Sequence, residues 1–487
     1  MERVEGSGGR EGAEHGRPIL DSAASRMAAR CVDRFARDDT VVASKTNAPL
    51  VALGEIREHM AHSPIKRNDD HHQGDRPIMT TTIDTTTPTS TEPGYAGQTF
   101  LASDEISIRR IEKADARFSM SWRASTFPIS PAVTEEWITS DLSKGRESWY
   151  AIVRKADDRV VGSCVFHPHR VNTEVKVTID PLFGEAAARW KAETIRLVLP
   201  WRVDETQAMS VSVTLDGDEV EAIAAAIDLG AREAARTPGL IRSPRTGEWV
   251  DQVCLVYLNR TWQDRLPVPT LGNLVRSGTG EPRPVPAKGT WEGAPSRGAI
   301  LVGQRVYLKA VDTDDASEMA RLGRIDPGAY PGGFRAVNNA ENMAHRRLED
   351  ITQRLRRDIG FAVRLRGDDR LIGEVAVLGV DYVNQTGETA SWMFDPDFRG
   401  SGYGSEAKHL LLEYCFDILG LRAVQSRVST ENARSAAALR KQGYREAGVI
   451  PWVELDHGFL SGDIIFHLSA EEWRALPRAK APERETA

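Results

Sequence analysis

Residues 398–405 read Phe-Arg-Gly-Ser-Gly-Tyr-Gly-Ser and join an apolar stretch typical of a strand to a segment whose apolar residues have helical spacing. Closely spaced glycines let backbone N–H groups approach an anion, and the first turn of a helix adds a favourable dipole. The stretch therefore predicts a strand–loop–helix unit that binds a pyrophosphate, with a purely structural glycine turn as the alternative. Its G-x-G-x-G spacing departs from the dinucleotide-binding pattern, and the loop lacks the GKS or GKT ending of a P-loop.

The two halves of the chain repeat one another. Residues 150–162 align without a gap with residues 361–373, and three further pairs of segments follow in the same order. These pairs are 108–116 with 308–316, 179–183 with 394–398, and 229–234 with 442–447. The offset stays between 200 and 215 residues, which predicts two copies of one domain.

Each copy has the pattern of a mixed α/β domain. In the second copy strands are expected near 304–311, 359–365, 371–380, 387–394 and 422–429, helices over about 404–419 and 432–442, and two last strands ending near Leu468.

Composition sets the boundaries of these copies. Residues 1–97 carry a long threonine-rich run and little apolar surface, so a disordered tail is expected there. Residues 263–298 hold six prolines and many glycines, which predicts an extended linker. The copies then occupy residues 98–262 and 299–475, and residues 476–487 form a C-terminal tail.

The overall charge excludes some classes of protein. A net charge of −7 argues against a nucleic-acid binder, and no apolar run is long enough to span a membrane. Four cysteines without metal-ligand or disulfide-scaffold spacing favour a reducing cytoplasm. Met79 is an alternative start of the natural protein, in which case residues 1–78 are not part of it.

Three ordered motifs carry a family resemblance. Arg399-Gly-Ser-Gly-Tyr-Gly404 resembles the loop R/Q-x-x-G-x-G/A of the GCN5-related N-acetyltransferase (GNAT) superfamily, which binds the pyrophosphate of coenzyme A. The segments 432–435 and 439–444 resemble the helix N-x-x-S/A…K-x-G-F/Y of that family. Residues 387–398 and the ending 470–473 are most similar to the branch that acetylates ribosomal-protein N-terminal alanine. The resemblance implies two tandem GNAT-like α/β domains with a mixed sheet, the first degenerate, and acetyl-CoA as co-substrate without a metal.

The resemblance also implies roles for individual residues. Glu388 stands eleven residues before Arg399, where histone-acetylating members carry a glutamate base; a surface carboxylate is the alternative, and Glu374 is a second candidate base. Ser435 is the implied donor to the leaving sulfur, because Leu439 stands where many relatives have a tyrosine; a bond back to a helix carbonyl is the alternative. The implied coenzyme A-binding residues, which include the oxyanion-binding backbone near Met393 and Phe394, are Met393, Phe394, Arg399, Gly400, Ser401, Gly402, Tyr403, Gly404, Ser405 and Asn432.

The first copy departs from this pattern. Its loop, residues 183–190, is expected to be one residue shorter, keeps one glycine and places Glu185 where a pyrophosphate would lie. Thr173 is expected at the position of Glu388, and Asp216-Gly217-Asp218 replaces the helix start at Asn432. The extra negative charge predicts a copy that does not bind coenzyme A and instead completes an intramolecular pseudo-dimer or forms a wall of the acceptor site.

These observations predict a cytoplasmic N-acetyltransferase in which a primary amine, on a small molecule or a peptide, attacks acetyl-CoA directly. An enzyme that uses longer acyl-CoA donors on a peptide amine and a non-catalytic acyl-CoA-binding scaffold are the alternatives. The chain is expected to act as a monomeric pseudo-dimer or a homodimer, without a nucleic-acid or membrane partner.

Overall fold

The computed structural model describes residues 99–123, 128–145, 147–169, 171–274, 280–290, 298–325, 357–456 and 459–480. The predicted tail of residues 1–97 and residues 481–487 of the predicted C-terminal tail lie outside the described residues. None of the helices in the described ranges combines the length and the apolar character needed to cross a lipid bilayer.

The described residues of the first half, up to the end of the fifth helix, form eight strands. They are β1 (Thr99–Ala102), β2 (Ile106–Arg110), β3 (Ser148–Arg154), β4 (Arg159–Pro168), β5 (Asn172–Ile179), β6 (Ser210–Asp216), β7 (Arg232–Arg242) and β8 (Trp249–Leu258). The α-helices of this half are α1 (Ser119–Trp122), α2 (Pro131–Ser140), α3 (Glu185–Thr206), α4 (Val220–Asp228) and α5 (Arg260–Gln263).

The second half contains the other described strands and helices. The strands are β9 (Ala299–Val302), β10 (Val306–Ala310), β11 (Ile359–Leu365), β12 (Leu371–Asp381), β13 (Thr386–Met393), β14 (Ala423–Ser429), β15 (Arg445–Asp456) and β16 (Phe459–Ser469). The helices are α6 (Thr313–Ile325), α7 (Tyr403–Glu413), which continues as a π-helical turn over Tyr414–Ile418, α8 (Ala433–Lys441) and α9 (Ala470–Ala475).

All the described strands lie in one mixed sheet. Its order is β1-β2-β3-β4-β5-β6-β8-β7-β15-β16-β14-β13-β12-β11-β10-β9. Read inward from either edge, the two halves have the same strand order, which is the arrangement that a twofold axis between β7 and β15 produces. Among the strand pairings of the described residues, β5 with β6 and β13 with β14 are parallel and the others are antiparallel.

Alternation along the strands separates two faces of the sheet. In β14, Val424 and Val428 belong to the core that α7, α8 and α9 cover, so Gln425 and Arg427 lie on the opposite face. A second core under α3 and α4 covers the same face of the first half. A third core lies at the junction and draws on both halves, with Val256, Leu258 and Trp262 from the first and Ile450, Trp452 and Ile465 from the second.

Contacts of Trp452 and Gly448 join the two halves. Gly448 of β15 pairs with Ala235 of β7, and a Cβ on Gly448 would lie 2.0 Å from the carbonyl oxygen of Ala234, so this approach requires glycine. The fully buried Trp452 donates its indole N–H to the carbonyl of Pro267 at 3.1 Å. Its own carbonyl accepts a hydrogen bond from the Ser210 hydroxyl at 3.1 Å. The halves therefore share a packed junction.

The described part of the proline-rich segment packs along the second half. The Arg283 amide donates to the carbonyl of Lys441, at the end of α8, at 2.8 Å. Val285 is buried and exchanges backbone hydrogen bonds with Pro477 and Ala479, from the segment after α9. An extended linker was predicted over residues 263–298; residues 280–290 run along the second half, whereas residues 264–265 and 271–273 form turns.

Candidate active site

The parallel strands β13 and β14 diverge to form a gap. They pair only from Thr386 with Ala423 to Glu388 with Gln425. Beyond Glu388, β13 runs on to Met393 while β14 stays paired with β16 along its whole length. Glu388 is therefore the last residue of β13 that pairs with β14, and it lies at the inner end of the gap.

One backbone amide of β13 points into this gap. The Phe394 amide donates to the carbonyl of Ile372 at 3.0 Å, which makes Met393 and Gly373 a non-hydrogen-bonded pair of the antiparallel ladder. In such a pair the N–H groups point away from the partner strand, so the Met393 N–H faces the gap. Of the two predicted oxyanion-binding positions, only Met393 therefore has its amide directed there, because the Phe394 amide is used inside the sheet.

The glycine loop presents the start of α7 at the outer end of the gap. Gly402 is the N-cap residue with φ of +90° and makes no side-chain cap, so the first amides of α7 have no partner within the helix. A Cβ on Gly404 would lie 3.1 Å from Cγ of Met393, which places this turn directly against the end of β13. Unpaired amides and the helix dipole fit the pyrophosphate that the sequence predicts at this loop.

Two arginines hold the loop in shape. Arg399 donates to the carbonyl oxygens of Met393 and Phe394, each at 2.9 Å, which ties the loop to the end of β13. Arg305, which the sequence analysis missed, donates to the Ser401 carbonyl at 2.9 Å and lies 4.3 Å from the centroid of the Tyr403 ring. Nothing in the local pattern around Arg305 marks it, because it follows β9 and reaches the loop only through the fold.

Helix α8 begins with Asn432 as its N-cap, just after the end of β14 at Ser429, and β14 runs parallel to β13. Asn432 is the N-cap residue and accepts a hydrogen bond from the Ser435 amide at 3.0 Å. Within the described residues the Ser435 hydroxyl has no hydrogen-bond partner, so the alternative of a bond back to a helix carbonyl is not what the structure contains. Ser405 accepts a hydrogen bond from the Gln442 side chain at 3.4 Å.

Glu388 faces a charged concavity on the sheet face opposite the helices. Its carboxylate lies 3.7 Å from Nε of Arg427, and 36% of the Glu388 side chain is exposed. Burial lowers the pKa of Arg427 while the carboxylates of Glu388, Glu174 and Asp463 raise it, and the carboxylates prevail. Burial raises the pKa of Asp463 to about 6, against the opposing charge of Arg427. Glu374, the second candidate base, is buried on the neighbouring strand β12.

Strand register corrects one expectation for the first half. Glu388 pairs with Leu378 across the β12–β13 hairpin, and Glu174 pairs with His167 across the β4–β5 hairpin. The aligned Gly373 and Gly162 fix these two hairpins relative to each other, and they make Glu174, one residue after the expected Thr173, the equivalent of Glu388. This difference of one residue from the expected position arises because β13 is followed by one extra residue, Phe394, before the Asp-Pro turn that both halves share.

The loop of the first half is shorter than predicted. Helix α3 begins at Glu185, two residues after Phe183, whereas α7 begins at Tyr403, five residues after Phe398. The loop therefore lacks three residues instead of one, nearly a full helical turn. The short loop leaves Gly184 alone before the helix, and no cradle of successive glycines forms there.

Within the described residues, no group of three or more His, Cys, Asp or Glu side chains is arranged to hold a metal ion.

The segment that forms this site is similar to a family of acetyltransferase domains. Residues 305–445 match the family model described as Acetyltransferase (GNAT) domain. The "Uncharacterized N-acetyltransferase YnaD" of Bacillus subtilis (strain 168) is 33% identical over 88 residues, which are 18% of this chain and 51% of that protein. The chain thus spans about half the length of this relative.

Two further similarities extend over longer stretches. The "Probable N-acetyltransferase YjcK" of Bacillus subtilis (strain 168) is 25% identical over 158 residues, 31% of this chain and 86% of that protein. The crystal structure of spermidine N-acetyltransferase from Vibrio cholerae in complex with CoA and spermine aligns with 17% identity and a TM-score of 0.32, over 35% of this chain and 98% of its own. The family match places the similarity to GNAT acetyltransferase domains at residues 305–445.

Proposed function

We propose that the chain transfers an acetyl group from acetyl-CoA to a primary amine, and that the second half contains the active site. The observation that carries the proposal is one gap in the sheet with three features. The unpaired amides of the Gly402 turn lie at its outer end, the Met393 amide points into it, and Glu388 closes its inner end.

Acetyl-CoA is the co-substrate in this proposal. The start of α7 holds the pyrophosphate, because helix amides and the helix dipole favour an anion there. Arg399 and Arg305 act by shaping the loop, since both donate to backbone carbonyls. Asn432 caps α8 and presents Ser435 toward the cofactor arm.

Glu388 is the general base of the proposed reaction. An amine attacks only as the free base, and a lysine-type ammonium has a pKa of ~10.4, so a carboxylate that accepts its proton increases the rate. The Met393 N–H stabilises the oxyanion that forms on the thioester carbonyl. Ser435, whose hydroxyl has no partner among the described residues, hydrogen-bonds the sulfur as the carbon–sulfur bond breaks.

The first half, residues 98–262, is proposed to be a degenerate copy of the same domain. Its shortened loop and the carboxylate of Glu185 at the helix start oppose coenzyme A binding. The junction around Trp452 joins this copy to the second half as an intramolecular pseudo-dimer, and Glu174 brings it to the concavity beside Glu388.

The experiment uses the full chain with acetyl-CoA and a panel of primary amines. Mass spectrometry of the amine and titration of the free thiol are expected to show equal amounts of acetylated product and coenzyme A. Hydrolysis of acetyl-CoA without amine acetylation would reject the proposal, and binding without turnover would favour a scaffold. Comparison of kcat/KM for acetyl-CoA with a longer acyl-CoA tests the alternative donor, since acetyl is expected to be preferred.

A further inference from the structure

Lys408 is a buried lysine that the mechanism above does not use. It lies on α7 with 2% of its surface exposed. Within the described residues it makes no hydrogen bond and no ion pair, and its Nζ lies 5.6 Å from the centroid of the Tyr444 ring. An ammonium taken out of water without a paired carboxylate destabilises the fold, so such a residue is a candidate for a functional role.

The position of Lys408 on α7 directs its side chain toward the gap between β13 and β14. Gly404, four residues earlier on the same stripe of the helix, lies against Met393 at the end of β13. The Tyr444 hydroxyl is 2.7 Å from the hydroxyl of Thr389, the first residue of β13 beyond the paired stretch. The Lys408 ammonium therefore lies on the helix side of the sheet, beside the ring of Tyr444, whose hydroxyl reaches Thr389 at the gap.

The environment also suits proton donation near neutral pH. Burial lowers the pKa of Lys408 to about 7, while the negative charge of Glu388 opposes this change. On the helix side, Lys408 is surrounded by the Tyr444 ring after α8 and by Cys415 and His409 from its own helix and its continuation, while the charge of Glu388 acts on it from the other face of the sheet. A donor with a pKa close to the working pH is the most effective general acid.

We propose that Lys408 is the general acid that protonates the leaving thiolate of coenzyme A, an inference that rests on the proposed function. The amine nitrogen forms a bond to the thioester carbonyl carbon, and its proton passes to Glu388. The carbon–sulfur bond breaks, its electron pair stays on sulfur, and the Lys408 ammonium gives a proton to that sulfur. The products are the N-acetyl amine and the free thiol, and exchange with solvent returns the proton from Glu388 and reloads Lys408.

Other groups near the gap serve this step less well. Leu439 has no proton to give, and the Tyr444 hydroxyl is bonded to Thr389 while burial raises its pKa far above the ordinary value. The Ser435 hydroxyl hydrogen-bonds the sulfur but is a much weaker acid than an ammonium. Lys408 is therefore the described group that combines burial at the gap with an available proton.

The test replaces Lys408 by methionine, with Ser435→Ala as the matched control for the other sulfur contact. Lys408→Met is expected to lower kcat on acetyl-CoA by about 100-fold or more and to leave the calorimetric Kd for acetyl-CoA unchanged. Ser435→Ala is expected to lower kcat by less than about tenfold. An acetyl ester of an aromatic thiol, whose thiolate leaves without a proton, should shrink the difference between wild type and Lys408→Met to a few-fold.

Two results would overturn the assignment. One is a kcat for Lys408→Met within about threefold of wild type, and the other is an equal loss on both thioesters. Lys408→Leu is a second variant for the same measurement. In the wild type itself, kcat should decline above about pH 7 as Lys408 loses its proton. A wild-type chain without any transferase activity would instead reject the proposed function, so the two failures are distinguishable.

Discussion

Glu174 and Glu388 occupy the same register in the two halves of the sheet, and both carboxylates act on the Arg427 guanidinium. Glu174 lies on β5 and Glu388 lies on β13. Each of these strands pairs in parallel with its neighbour, β6 or β14, over its first residues and then diverges from it. The strand order repeats about a twofold axis between β7 and β15, so Glu174 and Glu388 both approach the concavity around Arg427. The first half therefore contributes a carboxylate that acts on the same guanidinium as the proposed base, which links the first half to the proposed site.

Glu174→Gln tests this link. Loss of one partly exposed carboxylate should raise KM for a cationic amine about two- to fivefold and leave the Kd for acetyl-CoA unchanged. Glu185→Gln, an exposed carboxylate of the same half at the start of α3, is the control and should change neither value. An unchanged KM in Glu174→Gln, measured by steady-state kinetics, would mean that the first half does not reach the acceptor.

Glu388→Gln removes the proposed base and keeps the size and shape of the side chain. We expect kcat/KM at neutral pH to fall by about 10²-fold or more, because the acceptor must then lose its proton to water. At high pH, where the free amine is abundant, the loss should shrink. A pH series of initial rates checks both statements, and activity equal to wild type at neutral pH would show that Glu388 is dispensable.

Gly404→Val tests the contact between the glycine turn and β13. The new Cβ would lie 3.1 Å from Cγ of Met393, so the turn must move away from the gap and the Kd for acetyl-CoA should rise about tenfold or more. Gly367→Val is the control, since a Cβ there meets no atom within 4 Å. Isothermal titration calorimetry measures both, and equal affinities in the two variants would contradict the account of the loop.

Trp452→Ala tests the junction between the halves. Removal of this fully buried indole leaves a cavity at the shared core and frees the Pro267 carbonyl, so the free energy of unfolding should fall by about 3–5 kcal/mol. Leu182→Ala, at a side chain that is 89% exposed, should change it by less than about 0.5 kcal/mol. Urea unfolding followed by fluorescence and circular dichroism gives both values, and a small change in Trp452→Ala would argue against a packed junction.

Lys408 also predicts a pH dependence of stability. Its pKa is lowered from 10.5 to about 7 by burial, so between these values the unfolded chain binds more protons than the folded one. The contribution of Lys408 to stability is therefore greatest above the unfolded pKa and is lost as the pH falls toward about 7. Lys408→Leu should be more stable than wild type near pH 7, and the difference should narrow as pH rises; urea unfolding at about pH 7, 8 and 9 measures it. Parallel curves would show that Lys408 keeps an ordinary pKa.

Local patterns were sufficient for the elements around the site. Strand β11 spans the predicted residues 359–365, and α7 with its π-helical continuation spans 403–418 against a predicted 404–419. These segments are set by their own apolar spacing and by glycine, which act within a few residues. The short edge strand β9 was missed, because four residues carry too little periodicity to mark a strand.

Long-range features of the site could not be predicted from the sequence. A one-residue slip of register moved the equivalent of Glu388 from Thr173 to Glu174, since only pairing across a hairpin fixes which residues face each other. Arg305, Arg427 and Lys408 reach the site from separate elements, and no local pattern marks Arg305. Arg427 and Lys408 are charged residues within apolar segments, and that contrast is the signal that could have found them.

The central claim is that one coenzyme A site exists per chain, at the loop before α7. Calorimetric titration of acetyl-CoA into the full chain, and into its Gly402→Glu variant, tests this claim most directly. The account predicts one site per chain in the wild type and none in the variant, because the φ of +90° disfavours a side chain there and the new carboxylate repels the pyrophosphate. Two sites, no site in the wild type, or a site that persists in Gly402→Glu would contradict it.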